Sequence, residues 1–463
     1  MPLGAPQNRT TVSDPSTQRN YRGPLAMVTT LFFMWGFLTC LNDILVPHLK
    51  SIFELNYAEV MLVQFCFFSA YFAFSIPSGK IIERIGYQKV MVAGLFTMGL
   101  GALLFVPAAS VPSFPLFLGA LIILAAGITA MQVAANPYVA VLGPARTASS
   151  RLNLTQAFNS LGTTVAPYFG GLLILGAALA PRTEDQLHAM TPQALHAYRL
   201  QEASSVKLPY FVIALALIAL GVVIAKFRLP HIPEAEGGHA AANDTVWRHP
   251  NLMLGTVAIF CYVGAEVSIG SFLVNYMNLP EVGNLRPEVA AKYLTFYWGG
   301  AMIGRFVGSA VLQKVPTRIV LGCNAVVAAV LVCASMLSFG HLAMWTLLLV
   351  GLFNSIMFPS IFTLGIEGLG PLTGEASGLL VMAIVGGAII PELQGLLADR
   401  VGLHHAFVLP VLCYLYILFF AVKGQPRRGD QASGQSNALL DGGLALPPEA
   451  RTAKSALRTN LQP

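Results

Sequence analysis

The sequence predicts an all-α membrane protein of twelve transmembrane helices in two six-helix halves. Three observations predict it. The 463 residues are 55% hydrophobic and only 10% charged, with mean hydropathy +0.67. A soluble domain carries roughly 25% charged residues, so this chain has too few to coat a water-soluble globule, and its solvent is lipid. The apolar residues fall into twelve runs near the length of about 20 that spans a bilayer. A polar, Pro/Gly/Ala-rich stretch at 229–249 divides those runs six and six.

The elements follow in order. Residues 1–24 are a polar tail without the short apolar core of a removable signal peptide. The first half, 25–228, holds spans 1 to 6 at 25–49, 57–79, 89–109, 114–141, 151–178 and 207–228. Between spans 5 and 6, "APRTEDQLHAMTPQALHAYRLQEASSVK" (179–206) is long enough for a short amphipathic helix. After the 229–249 linker the second half, 250–423, holds spans 7 to 12 at 250–277, 287–312, 317–338, 341–366, 375–398 and 404–423. Residues 424–463 are rich in Gly, Ser, Pro and charge, the composition of a disordered tail.

Lysine and arginine set the orientation. With a cytoplasmic N-terminus, 20 of the 27 fall on the cytoplasmic side, including Lys80, Arg84 and Lys89 after span 2 and Lys314 and Arg318 after span 8. Both termini and the linker are therefore expected inside. The halves also echo each other. "NPYVAVLGP" (136–144) in span 4 resembles "FPSIFTLGIEGLGP" (358–371) in span 10, and "GKIIERIGYQK" (79–89) after span 2 resembles "GLLADRVGLHH" (395–405) after span 11. Internal repeats of six spans mark a secondary transporter with its site between the halves.

Several function classes are excluded. No basic patch interleaved with aromatics offers a nucleic-acid surface. GxxxxGK[ST], HExxH and GxSxG are absent, so the sequence predicts neither ATP drive nor an enzyme, and no cofactor or metal. The six cysteines lie in apolar runs without CxxC spacing and read as small buried hydrophobes. A membrane sensor would need a signalling domain, for which the C-terminal tail is too poor.

The polar residues inside the spans carry the remaining information, because charged and amide groups are expensive in lipid. Thr39, Asn42 and Asp43 in "FLTCLNDILVPHL" (37–49), with Trp35 just before it, fall on one face of span 1. Gln132 and Asn136 share a face of span 4. Gln156, Asn159 and Thr163 share a face of span 5. Amides, an acid and an aromatic ring suit a hexose, since amides bond hydroxyls and a ring stacks on the apolar sugar face. The competing reading is that the amides join helices. The second half offers Glu266, Asn275, Asn354 and Glu392, the last beside Pro391, where a broken helix is expected. Arg305 is expected as a cytoplasmic-side gate or a structural ion-pair partner, and Glu83/Arg84 as a conformational latch. Asp43 is open to three readings: an acid at the outer interface, a static partner for a buried base, or a group that takes up and releases a proton.

The segment "GKIIERIGYQK" looks like the signature loop of the major facilitator superfamily. "LNDILVP" (41–47), "AANPYVAVLGP" (134–144), "RLNLTQAFNSLGT" (151–163), "FCYVGAE" (260–266) and "IGRFVGS" (303–309) resemble its fucose–galactose–glucose/H+ symporter family over residues 25–423. The resemblance implies the major facilitator fold, proton symport of a sugar, and Asp43 as the proton-coupling residue. It also implies a multi-pass protein of the bacterial inner membrane, with sugar, proton and lipid as its partners, working as a monomer. Members that carry L-fucose have a glutamate where this chain has Gln132 and a glutamine where it has Glu266. The departure points to glucose, galactose or N-acetylglucosamine, with L-fucose or Na+ coupling as alternatives.

Overall fold

Lipid offers no partners to backbone N–H and C=O groups, so each apolar run closes its hydrogen bonds within itself as a helix. The computed structural model describes residues 21–53, 57–111, 113–170, 190–204, 206–230 and 244–423, and the side chains of 41–62 and 167–170 lie outside that description. Spans 1 to 6 are the helices Arg22–Phe53, Tyr57–Ile85, Tyr87–Ser110, Phe114–Val141, Ala148–Gly170 and Lys207–Lys226. The expected short helix before span 6 is Pro192–Ser204. Spans 7 to 9 are Pro250–Asn278, Pro287–Val311 and Thr317–Leu337. The bundle ends at Lys423. The N-terminal tail, most of the linker and the C-terminal tail fall outside the described residues.

The last three spans are segmented. Span 10 is Gly340–Asn354 followed by Met357–Gly365, and span 12 is Leu403–Ala406 followed by Val408–Lys423. Span 11 runs Thr373–Met382, a 3-10 turn Ala383–Val385, then Gly386–Val401. The break expected at Pro391 is not there: Pro391 lies inside the last helix. Proline lacks an N–H and crowds the carbonyl four residues earlier, so its effect falls N-terminal to itself. The irregular turn lies further upstream, where Gly386 comes so close to span 7 that a Cβ would sit 2.1 Å from the Phe260 carbonyl oxygen.

Among the described residues, ten of these spans are long and apolar enough to cross a membrane by composition, and spans 5 and 8 fall short. Spans 5 and 8 pack on each other across the two halves. Polar helices are tolerated at membrane depth where protein rather than lipid covers them. The packing repeats between halves. Spans 1·5, 2·4, 3·4 and 3·6 are matched by 7·11, 8·10, 9·10 and 9·12, and the cross-half pair 2·11 is matched by 5·8. Glycines permit the tightest approaches. A Cβ at Gly36 would lie 2.1 Å from the Asn159 carbonyl oxygen, and one at Gly162 2.3 Å from that of Phe33, so spans 1 and 5 meet backbone to backbone.

This pattern corrects one repeat. Gly79 faces Gly374 and Ser75 faces Gly378, so spans 2 and 11 run antiparallel across the interface. The 79–89 loop lies beside the start of span 11, and the 395–405 turn lies at the opposite end. The counterpart of 79–89 in the second half is the 312–316 connection after span 8. The two sequences look alike because both place a glycine with φ near +83° at a helix junction, Gly86 and Gly402. The cysteines also differ from expectation: all six are free thiols, but Cys323 is exposed and only Cys413 is buried. A lipid-facing surface is apolar too, so an apolar run does not imply an inward position.

Candidate functional site

The halves are joined by hydrogen bonds at the end of the bundle that carries the 142–147, 312–316 and 366–372 connections. Ser149 Oγ and Thr363 Oγ1 are 2.6 Å apart, and Thr317 donates to Ser149 at 2.9 Å. Ser150 donates to the Ser309 carbonyl at 2.7 Å and Ser309 returns a bond to that of Ser150 at 3.1 Å. Asn153 Nδ2 donates to the Arg305 carbonyl at 2.7 Å, and Ser377 to that of Val133 at 2.7 Å. Neutral hydrogen bonds of this kind are individually weak in membranes, about 0.6 kcal/mol each. Such a seam can part.

Beyond the seam lie the amides. Gln132 is 1% exposed, and its Nε2 donates to Tyr71 Oη at 2.5 Å. Its Oε1, both amide atoms of Asn136 and Nε2 of Gln156 are buried without a hydrogen-bond partner among the described residues. At 1.5 Å per residue, Gln132 and Gln156 stand about 15 Å and about 13 Å from the connection between spans 4 and 5, with Asn136 one turn nearer to it. Buried polar atoms are nearly always paired, and orphaned amides on adjoining spans call for a ligand or water. Trp35 of span 1 is half-buried and lies 5.7 Å from Phe32 between ring centroids.

Other predicted residues are engaged in holding helices. Asn159 Nδ2 donates to the Phe32 carbonyl at 3.0 Å, Thr163 to its own helix at Ser160, and Thr39 to its own helix at Trp35. Asn354 is fully buried between two tyrosines: its Nδ2 donates to Tyr297 Oη at 2.9 Å and its Oδ1 accepts from Tyr414 at 2.7 Å. Each end of that amide is engaged by a tyrosine, whereas both amide atoms of Asn136 lack a partner among the described residues. Tyr297 also donates to the Glu266 carbonyl at 3.2 Å.

Glu266 and Arg305 come together. Glu266 Oε1 accepts from Tyr262 at 2.7 Å and lies 3.9 Å from an Arg305 nitrogen, with both charged side chains 13% exposed. The same guanidinium reaches Ser160 Oγ and the Gln156 carbonyl on span 5 and the Ser355 carbonyl on span 10. Asn275 and Glu392 are set apart. They line a cleft of about 370 Å³ with Phe272, Asp399 and Leu403, near the opposite end. Glu83 and Arg84 are exposed and form no ion pair with each other among the described residues. Glu83 instead faces Glu375 across the interface, with Lys80 and Arg84 nearby. Asn42 and Asp43 are helical positions of span 1 whose side chains lie outside the described residues.

Sequence reasoning missed Tyr71, Asn153, Ser160, Tyr262, Tyr297 and Tyr414. Tyr262 was legible, standing four residues before Glu266 on one helix face. The others join different spans and left no local signal.

The Major Facilitator Superfamily model matches residues 27–391. A glucose/galactose transporter of Brucella abortus is 49% identical over 425 residues, which are 92% of this chain and 99% of the relative. The L-fucose-proton symporter of Escherichia coli is 36% identical over 415 residues, 88% of this chain and 94% of that one. A crystal structure of the transporter FucP in the outward conformation superposes with TM-score 0.83 at 34% identity, covering 88% of this chain and all of that one. With the repeated six-helix packing and the motifs of both halves, these matches show that the chain belongs to the major facilitator superfamily, in its fucose–galactose–glucose/H+ symporter family.

Proposed function

We propose that this chain imports a hexose, glucose or galactose, together with protons across a bacterial inner membrane. The observation that carries the reading is the set of amide atoms on Gln132, Asn136 and Gln156 that are orphaned among the described residues. A sugar brings many hydroxyls, each a donor and an acceptor, and one apolar face. Its binding offsets the roughly 1–3 kcal/mol that each unpartnered buried group costs. The relative at 49% identity carries the name of a glucose/galactose transporter, which supports this choice of sugar.

The hydroxyl seam is the cytoplasmic gate in this reading, with the Glu83 region at its edge, and both termini and the 229–249 linker are inside. Halves 25–228 and 250–423 rock about the site, and Asp43 takes a proton from outside and releases it within. One copy of the chain suffices. The test is uptake of a panel of labelled sugars into proteoliposomes under proton and sodium gradients imposed separately. Accumulation of glucose or galactose with an inward proton gradient is expected. Accumulation with sodium alone, or of L-fucose alone, would overturn the coupling or the substrate.

A further inference from the structure

Tyr71 of span 2 belongs to none of the polar faces of spans 1, 4 and 5, yet its hydroxyl bonds one of them. It accepts from Gln132 Nε2 at 2.5 Å. That bond uses a lone pair of the phenol oxygen, and its own O–H is left to donate. The ring cannot swing away: it is 3% exposed and held against Phe67 and Phe68, at centroid distances of 5.5 and 6.4 Å. Gln132 is fixed in turn. With Nε2 held by Tyr71, its amide cannot rotate without losing that bond, and Oε1 remains a buried acceptor with no partner.

Resting on the sugar reading above, we propose that Tyr71 is a positioning and specificity residue of the sugar site: it holds Gln132 so that its Oε1 and the Tyr71 O–H together take one sugar hydroxyl. The two vacancies are one acceptor and one donor on adjacent groups. A hydroxyl supplies the matching donor and acceptor from a single atom, whereas a carbonyl, an ether or a hydrogen at that carbon leaves one or both unfilled. A site that hydrogen-bonds a hydroxyl rejects the analogue lacking it more strongly than an apolar pocket discriminates by size.

The experiment is sugar counterflow in proteoliposomes, with glucose, galactose and their monodeoxy analogues, for the wild-type chain, Tyr71→Phe, Gln132→Ala and the double variant. Tyr71→Phe is expected to raise the half-saturation for the parent sugar about tenfold, with the maximal rate changed less than about twofold. At one ring position the deoxy sugar should be penalised about tenfold in the wild type and little further in Tyr71→Phe. The double variant should lose clearly less than the two single losses combined. Wild-type half-saturation in Tyr71→Phe, or additive losses in the double variant, would overturn the assignment. Should Tyr71→Phe fail to fold, Gln132→Asn shortens the amide away from Tyr71 and should raise half-saturation in the same analogue-dependent way; an unchanged analogue profile would overturn it. If the wild-type chain carries no hexose, the sugar reading itself fails and the assignment with it. Transport that is indifferent to Tyr71 overturns the assignment alone.

Discussion

Arg305 of span 8 stands 3.9 Å from Glu266 of span 7, and its guanidinium also bonds Ser160 and the Gln156 carbonyl on span 5, in the other half. One cation therefore belongs both to a pair within its own half and to the seam between halves. When the seam parts, Glu266 is the charged partner that stays with it.

Glu266→Gln should accordingly destabilise the protein, because it leaves Arg305 uncompensated in a poorly solvated place. A loss of about 1–3 kcal/mol is expected, less than for a fully buried pair. Pairing it with Arg305→Met should recover part of that loss. Thermal unfolding in detergent measures both, and a double variant less stable than Glu266→Gln would contradict the pairing.

Ser150 and Ser309 place their hydroxyls 3.3 Å apart across the halves. Ser150→Cys with Ser309→Cys should form a disulfide on mild oxidation, since the approach is close to disulfide geometry. Cross-linked protein should lose gradient-driven uptake and regain it on reduction. Full uptake by quantitatively cross-linked protein would mean that the halves need not part there.

Gly162→Ala places a methyl group 2.3 Å from the Phe33 carbonyl oxygen, a distance no Cβ adopts. Spans 1 and 5 must separate to admit it, at a cost of about 1–3 kcal/mol. The unfolding temperature should fall clearly, and an unchanged one would show that spans 1 and 5 do not meet there.

Asp43→Asn is permanently neutral and nearly isosteric. If Asp43 is the coupling residue, proton-driven accumulation should disappear while sugar exchange, which needs no net proton movement, continues. Uptake and counterflow in the same vesicles decide it. Retained pH-driven accumulation would remove Asp43 from the coupling role.

The sequence by itself determined the solvent, the count and order of the spans, and room for a short helix within 179–206, because apolar length and polar interruption are local properties. It also singled out the amides on spans 4 and 5: Gln132, Asn136 and Gln156 were legible as buried polar positions from helical spacing and the expense of polar groups in lipid. What those amides bond was decided only in three dimensions. Asn354 is filled by Tyr297 and Tyr414, whereas Asn136 is left open, and nothing in their flanking residues separates the two cases. Hydrogen bonds between spans link residues as distant as Tyr71 and Gln132, whose relation is set by helix packing and not by periodicity. The repeat at 395–405 misled for the same reason. A glycine at a helix junction writes the same short motif at either end of a bundle, and only the antiparallel course of spans 2 and 11 shows which end it occupies.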